Sequence, residues 1–105
     1  MTGTEYQRAA LRTASIKCRN LQNCGLGLCG ESGEVADLIK KHEFQGHPLD
    51  KQHIAEELGD VAWYMAVAAF MIGKSLDEIF QMNVDKLKKR YPDGFSEERS
   101  INRND

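Results

Sequence analysis

From residue 54 onward the chain places apolar side chains at Ile54, Leu58, Val61, Met65, Ala68 and Ile72, alternating steps of three and four that mark one face of a helix. Asp50 opens this segment, and Gly73 is a natural stop after Ile72. Upstream, Leu28, Val35, Leu38 and Ile39 make a second stripe, predicting a helix from about Leu26 to Phe44 that ends at Gly46-His47-Pro48. A first helix is expected from Thr4, as N-cap, to Lys17 or Arg19, followed by a loop over Asn20 to Gly25. Ser75 with Glu78 has the spacing of a capping box, so a fourth helix runs from Leu76 to about Tyr91. Prolines occur only at 48 and 92, and Val, Ile and Thr are too sparse for many strands; the fold class expected is all-α. The polar, turn-rich tail from about Pro92 has no periodicity and should lie over the surface or close over a ligand.

Polar residues inside these stripes change the picture. Rotating by about 100° per residue from Leu28, the stripe of the second helix runs from roughly 280° through about 20°, with Glu31 at about 300° and Glu34 at about 240°. Counting from Ile54 on the third helix, Glu57 falls at about 300° and Asp60 at about 240°, while Glu56 faces away at about 200°. Two acid pairs thus occupy matching positions on consecutive helices. Burying an unpartnered carboxylate costs several kcal/mol and is normally answered by protonation. A hard divalent cation relieves both burial and mutual repulsion, since carboxylate oxygens are the ligands Mg²⁺ and Mn²⁺ take. On the fourth helix, counting from Leu76, Asn83 falls at about 340°, Lys86 at about 280° and Arg90 at about 320°, inside the stripe of Leu76, Ile79, Phe80 and Leu87. An amide, an ammonium and a guanidinium facing an acidic cup suit a polyphosphate. The competing reading is that these bases neutralise the acids directly as ion pairs.

Composition bounds the rest. A chain of 105 residues, 41% hydrophobic and 29% charged, suits one small domain over 1–105. Its formal charge of -2 gives no field for nucleic acid. The longest apolar run, Val61 to Ile72, is well short of the roughly 20 residues of a membrane span, and the N-terminus lacks a secretory pattern. Cys18, Cys24 and Cys29 are odd in number and lack metal or redox spacing, which reads as reduced thiols in a cytoplasmic protein. After Val61 the third helix is apolar nearly all round, with Trp63, Ala66, Val67 and Phe70 opposite the acidic face, so a partner subunit near that helix is expected. Packing of Trp63 on the first helix or the tail is the alternative. Tyr6, Gln7, Thr13, Asn23 and His47 are candidate base or ribose contacts and equally candidate surface or capping groups. His42, His47 and His53 read as solvated or capping residues, because none forms Glu-x-x-His with the inward acids.

Glu-x-x-Glu at 31–34 and Glu-x-x-Asp at 57–60, separated by the segment from Val35 to Glu56, resemble the MazG-like all-α nucleoside triphosphate pyrophosphohydrolases. GLCGESGEVADLIKK, EELGDVAWY and NVDKLKKRYPDGF resemble that family's helix contexts, and the similarity runs from Tyr6 to Arg103. The resemblance implies a four-helix MazG-like bundle completed by oligomerisation, as a homodimer or homotetramer. It implies Mg²⁺, with Mn²⁺ as an alternative, on Glu31, Glu34, Glu57 and Asp60. Asn83, Lys86 and Arg90 would hold phosphates, and the α–β phosphoanhydride of a (deoxy)nucleoside triphosphate would be hydrolysed to the monophosphate and pyrophosphate. Glu34, at the stripe edge, is the candidate general base. Other readings are a phosphoribosyl-ATP pyrophosphohydrolase, a di-iron or di-manganese redox centre, and a non-catalytic helical interaction module.

Overall fold

The computed structural model describes residues 1–103; the tail's last two residues, Asn104 and Asp105, lie outside the described residues. The chain forms α1 (Gly3–Leu11), a 3-10 turn at Ile16–Cys18, α2 (Leu21–Phe44), α3 (Lys51–Met71), α4 (Leu76–Arg90) and α5 (Glu97–Ile101). Among the described residues there is no strand, and the all-α expectation holds.

The first helix is shorter than expected and the second longer. Thr2 caps α1, its side chain accepting from the Glu5 N–H while the Glu5 carboxylate accepts from the Thr2 N–H. At the far end Thr13 Oγ1 donates to Ala10 O, and Arg19 donates from Nε to Ala14 O at 2.9 Å and from Nη2 to Leu11 O at 3.1 Å. These groups satisfy carbonyls that further helix would have used, so α1 stops at Leu11. Asn20 then caps α2 by accepting from Asn23 N at 2.7 Å, which turns the expected loop into helix. Two turns into α2, Gly27 admits the Tyr64 ring of α3, for a Cβ there would run into it.

The short connection at 45–50 turns the chain back, and α2 packs along α3; α1 lies on α3, and α4 packs on α1 and α3. The buried core is made of small residues, which lets helix axes approach closely. Ala10, Ala66, Ala69 and Leu76 form one cluster, with Tyr6, Trp63, Met65 and Ile79 around it. Ala14, Cys24 and Val67 form the other, flanked by Leu11, Trp63 and Ala68. Trp63 therefore packs within the chain, and its Nε1 donates to Thr13 Oγ1 at 2.9 Å.

Gln7, a candidate base contact in the sequence, has a different role. It is buried, donates from Nε2 to Ala66 O and Lys74 O at 3.1 and 3.0 Å, and accepts from Leu76 N at 3.3 Å. It joins α1 to the turn between α3 and α4, satisfying the buried Ala66 carbonyl and Leu76 N–H and the part-buried Lys74 carbonyl. Asp77 ties the same corner by accepting from Gly3 N, Thr4 N and Thr4 Oγ1.

The stripe of α4 is only half used. Leu76 is fully buried and Ile79 half-buried, but Phe80 and Leu87 remain 45% and 43% exposed, and the segment Met82–Lys89 is exposed throughout. The sequence predicts burial of all four apolar residues; among the described residues nothing covers the outer turns of the helix. The tail folds back beyond Pro92: the Tyr91 and Phe95 rings meet at a tilt with centroids 5.3 Å apart, Ser96 caps α5, and Arg99 Nε donates to Arg90 O at 2.7 Å. That last bond satisfies a carbonyl at the end of α4. No described helix is long and apolar enough to cross a membrane.

Candidate metal centre

The α2–α3 pair brings Glu31, Glu57 and Asp60 together. One ligand oxygen from each lies within 4.8 Å of the others, close enough for a single cation. The cause is helical phase: an i, i+3 pair on α3 presents two acids along one edge, and the packed α2 presents the third opposite them. Glu57 is the better covered, its side chain 16% exposed, while its sequence neighbour Glu56 faces solvent and accepts from Gln52 Nε2 at 3.4 Å. The angular separation of the two adjacent glutamates is thus realised in the fold.

Electrostatics around the trio show the strain of like charges. The Glu31 carboxyl is held above its ordinary value of 4.5, first through a hydrogen bond with Glu57, then through desolvation and the charges of Asp60, Glu57 and Glu34. A cation placed among these oxygens would relieve the same repulsion. Asp60 also raises the Tyr6 phenol, whose shift comes first from burial, and Tyr6 Oη donates to Gly59 O at 3.4 Å. The first helix therefore reaches the rim of the cluster. The donor set fits a hard divalent ion: three converging carboxylates, two half-buried and the third, Asp60, exposed, whose mutual repulsion a cation would offset.

Glu34, the fourth expected acid, is exposed on α2 and is not part of the converging group. Its charge still reaches Glu31 and also raises Lys41, whose first partner is Asp37 at 2.9 Å. Asn83 and Lys86 line a concavity of about 250 Å³ on α4 with Ile79 and Met82, and among the described residues Lys86 forms no ion pair. Arg90 sits at the C-terminal end of α4, where its carbonyl receives Arg99.

Of the remaining candidates, Asn23 donates from its amide to Cys18 O, and His42 Nδ1 contacts His47 O at 2.9 Å beyond the end of α2; both serve the ends of α2, in keeping with the capping reading. His53 reads as solvated in the sequence, yet its Nε2 lies 3.2 Å from Glu57 Oε1. The i, i+4 spacing from His53 to Glu57 is the signal in the sequence that points to this contact.

An all-helical bundle with a three-carboxylate cluster on one helix pair defines a class of candidate metal-dependent proteins. The model of the MazG nucleotide pyrophosphohydrolase domain matches residues 19–95, which include the whole cluster and the α4 bases, and the chain belongs to that family. It is similar to the Gene 37 protein of Mycobacterium phage L5, 34% identical over a 109-residue alignment covering 93% of this chain and 96% of the phage protein. It is also similar to YvdC of Bacillus subtilis (strain 168), 33% identical over 73 residues, or 61% of this chain and 69% of that protein. Neither name states an activity. Among solved structures, none matches significantly.

Proposed function

We propose that this protein is a Mg²⁺-dependent nucleoside triphosphate pyrophosphohydrolase of the cytoplasm, cleaving the α–β phosphoanhydride to a nucleoside monophosphate and pyrophosphate. The observation that carries this reading is the convergence of Glu31, Glu57 and Asp60 from two helices inside the segment matched by the family model. When bound, Mg²⁺ supplies charge neutralisation of phosphate oxygens and lowers the pKa of a water at neutral pH. Glu31, Glu57 and Asp60 would hold it, with Glu34 beside them.

Glu34 suits the role of general base. It is exposed, accepts no hydrogen bond among the described residues, and lies close enough for its charge to act on Glu31. It can take the proton of the attacking water as that oxygen bonds to the α-phosphorus and the electron pair of the broken bond leaves with pyrophosphate. Asn83, Lys86 and Arg90 meet the remaining phosphate charge. That Lys86 forms no ion pair with the acids supports a ligand-binding role over mutual neutralisation in an interaction module.

A homodimer or homotetramer completes the bundle. Phe80 and Leu87 on α4, and Leu58 on α3, leave apolar surface that another copy would cover. Incubation with individual nucleoside triphosphates and Mg²⁺, followed by product identification, tests the function. Monophosphate with pyrophosphate supports it; orthophosphate release, or no turnover across the panel, refutes it.

A further inference from the structure

The geometry points to His53 as a positioning residue that sets the carboxylate plane of Glu57 for the cation. His53 stands in the first turn of α3, where its backbone N–H donates to the capping Asp50 carboxylate at 3.0 Å. One turn further on, its ring Nε2 meets Glu57 Oε1 at 3.2 Å. Residues at i and i+4 stack on one helix face, so the contact follows from the backbone and needs no distortion. Glu57 belongs to the acidic trio, with a carboxylate oxygen within 4.8 Å of ligand oxygens from both Glu31 and Asp60.

The terminal torsion of a glutamate is broad and roughly two-fold, so an unheld carboxylate turns freely about its last bond. A ring N–H on Oε1 removes that freedom and leaves the remaining lone pairs directed at the cluster. An imidazole N–H does this as a neutral donor, whereas a lysine or arginine there would bring a charge competing with the cation for Glu57. His53 is not itself a fourth ligand: among the described residues the converging group is Glu31, Glu57 and Asp60 alone. The rest of the ring borders an open concavity of about 470 Å³ between the end of α2 and the start of α3, lined also by Lys41, His47, Asp50 and Lys51. Lys41 is engaged by Asp37 and so does not compete for Glu57, while the Asp50 carboxylate is occupied by the His53 backbone N–H.

The inference rests on the metal-centre reading, and its test separates the two. Mn²⁺ binding to the full chain is measured by electron paramagnetic resonance for wild type, His53→Leu and His53→Gln, together with metal-free melting curves. Loss of the donor in His53→Leu weakens Mn²⁺ binding by about 10-fold or more, the range such outer partners command. His53→Gln, which keeps an N–H, stays within about 3-fold of wild type. Equal affinity in His53→Leu and wild type overturns the inference alone, as does failure of His53→Gln to restore binding when both variants melt like wild type without metal. A wild-type chain that binds no Mn²⁺ removes the metal centre and this role with it.

Discussion

Glu56 and Glu57 are adjacent in the chain and chemically identical, yet one meets Gln52 in solvent and the other sits in a cluster of three carboxylates. Glu57→Gln should lower Mg²⁺-dependent turnover by at least about 100-fold, with Glu56→Gln within about twofold of wild type, the contrast expected of a ligand and a bystander. Equal losses in a steady-state assay would contradict the helical-phase argument. Glu31 gives a test that needs no substrate. Its folded-state pKa lies above 4.5, so its protonated form contributes stability that is complete below the unfolded value and is lost as pH rises through the folded value. Glu31→Gln keeps the hydrogen-bond donor and removes the charge. The melting temperature of the metal-free variant should therefore match wild type near pH 4.5 and exceed it increasingly toward about pH 7. Added Mg²⁺ should raise wild type, by roughly 2.7 kcal/mol at a hundred times the dissociation constant, and leave the variant nearly unmoved. At this scale the inward acids are legible because rotation per residue is a property of the helix. Gln7 is not, since nothing in its neighbours announces that Lys74 and Leu76 will present backbone groups to it.

At the scale of elements, helix ends depend on which distant groups arrive to satisfy them. The capping box of Ser75 and Glu78 is local and readable from spacing. The end of α1 depends on Arg19 reaching back across the 3-10 turn, a contact between residues that only the folded chain brings together. Gln7 tests the corner where α1 meets α3 and α4. Gln7→Leu orphans the buried N–H of Leu76 and the carbonyl of Lys74, which should cost about 2 kcal/mol or more. A fall of roughly 10 °C in melting temperature is the corresponding observation. A variant melting like wild type would mean that water replaces the amide.

The whole molecule is open for its length. Its radius of gyration is 16.7 Å, with extents of 43 × 41 × 27 Å. A compact chain of similar length has a radius of about 13 Å. Two long helices and an α4 whose turns from Met82 to Lys89 are exposed account for the difference, and the uncovered residues include Phe80, Val84 and Leu87. Burying the exposed halves of Phe80 and Leu87 would contribute about 1 kcal/mol each. Light scattering at micromolar concentration should therefore report a dimer or larger, and Phe80→Ser with Leu87→Ser should shift it toward monomer. A monodisperse monomer of the unmodified chain would contradict the expectation.

The sequence alone determined the all-α class, three of the helix starts to within a residue or two, and the separation of inward from outward acids. Each of these depends on the helical repeat of about 3.6 residues or on partners three or four positions away. Only the tertiary structure decided that Glu31, Glu57 and Asp60 meet while Glu34 stays outside, that Gln7 is a staple, and that the outer turns of α4 stand uncovered. Helical phase reports the direction in which a side chain leaves its axis. The distance to the next axis is set by what packs between them, here the small residues of the core and the glycine that admits Tyr64.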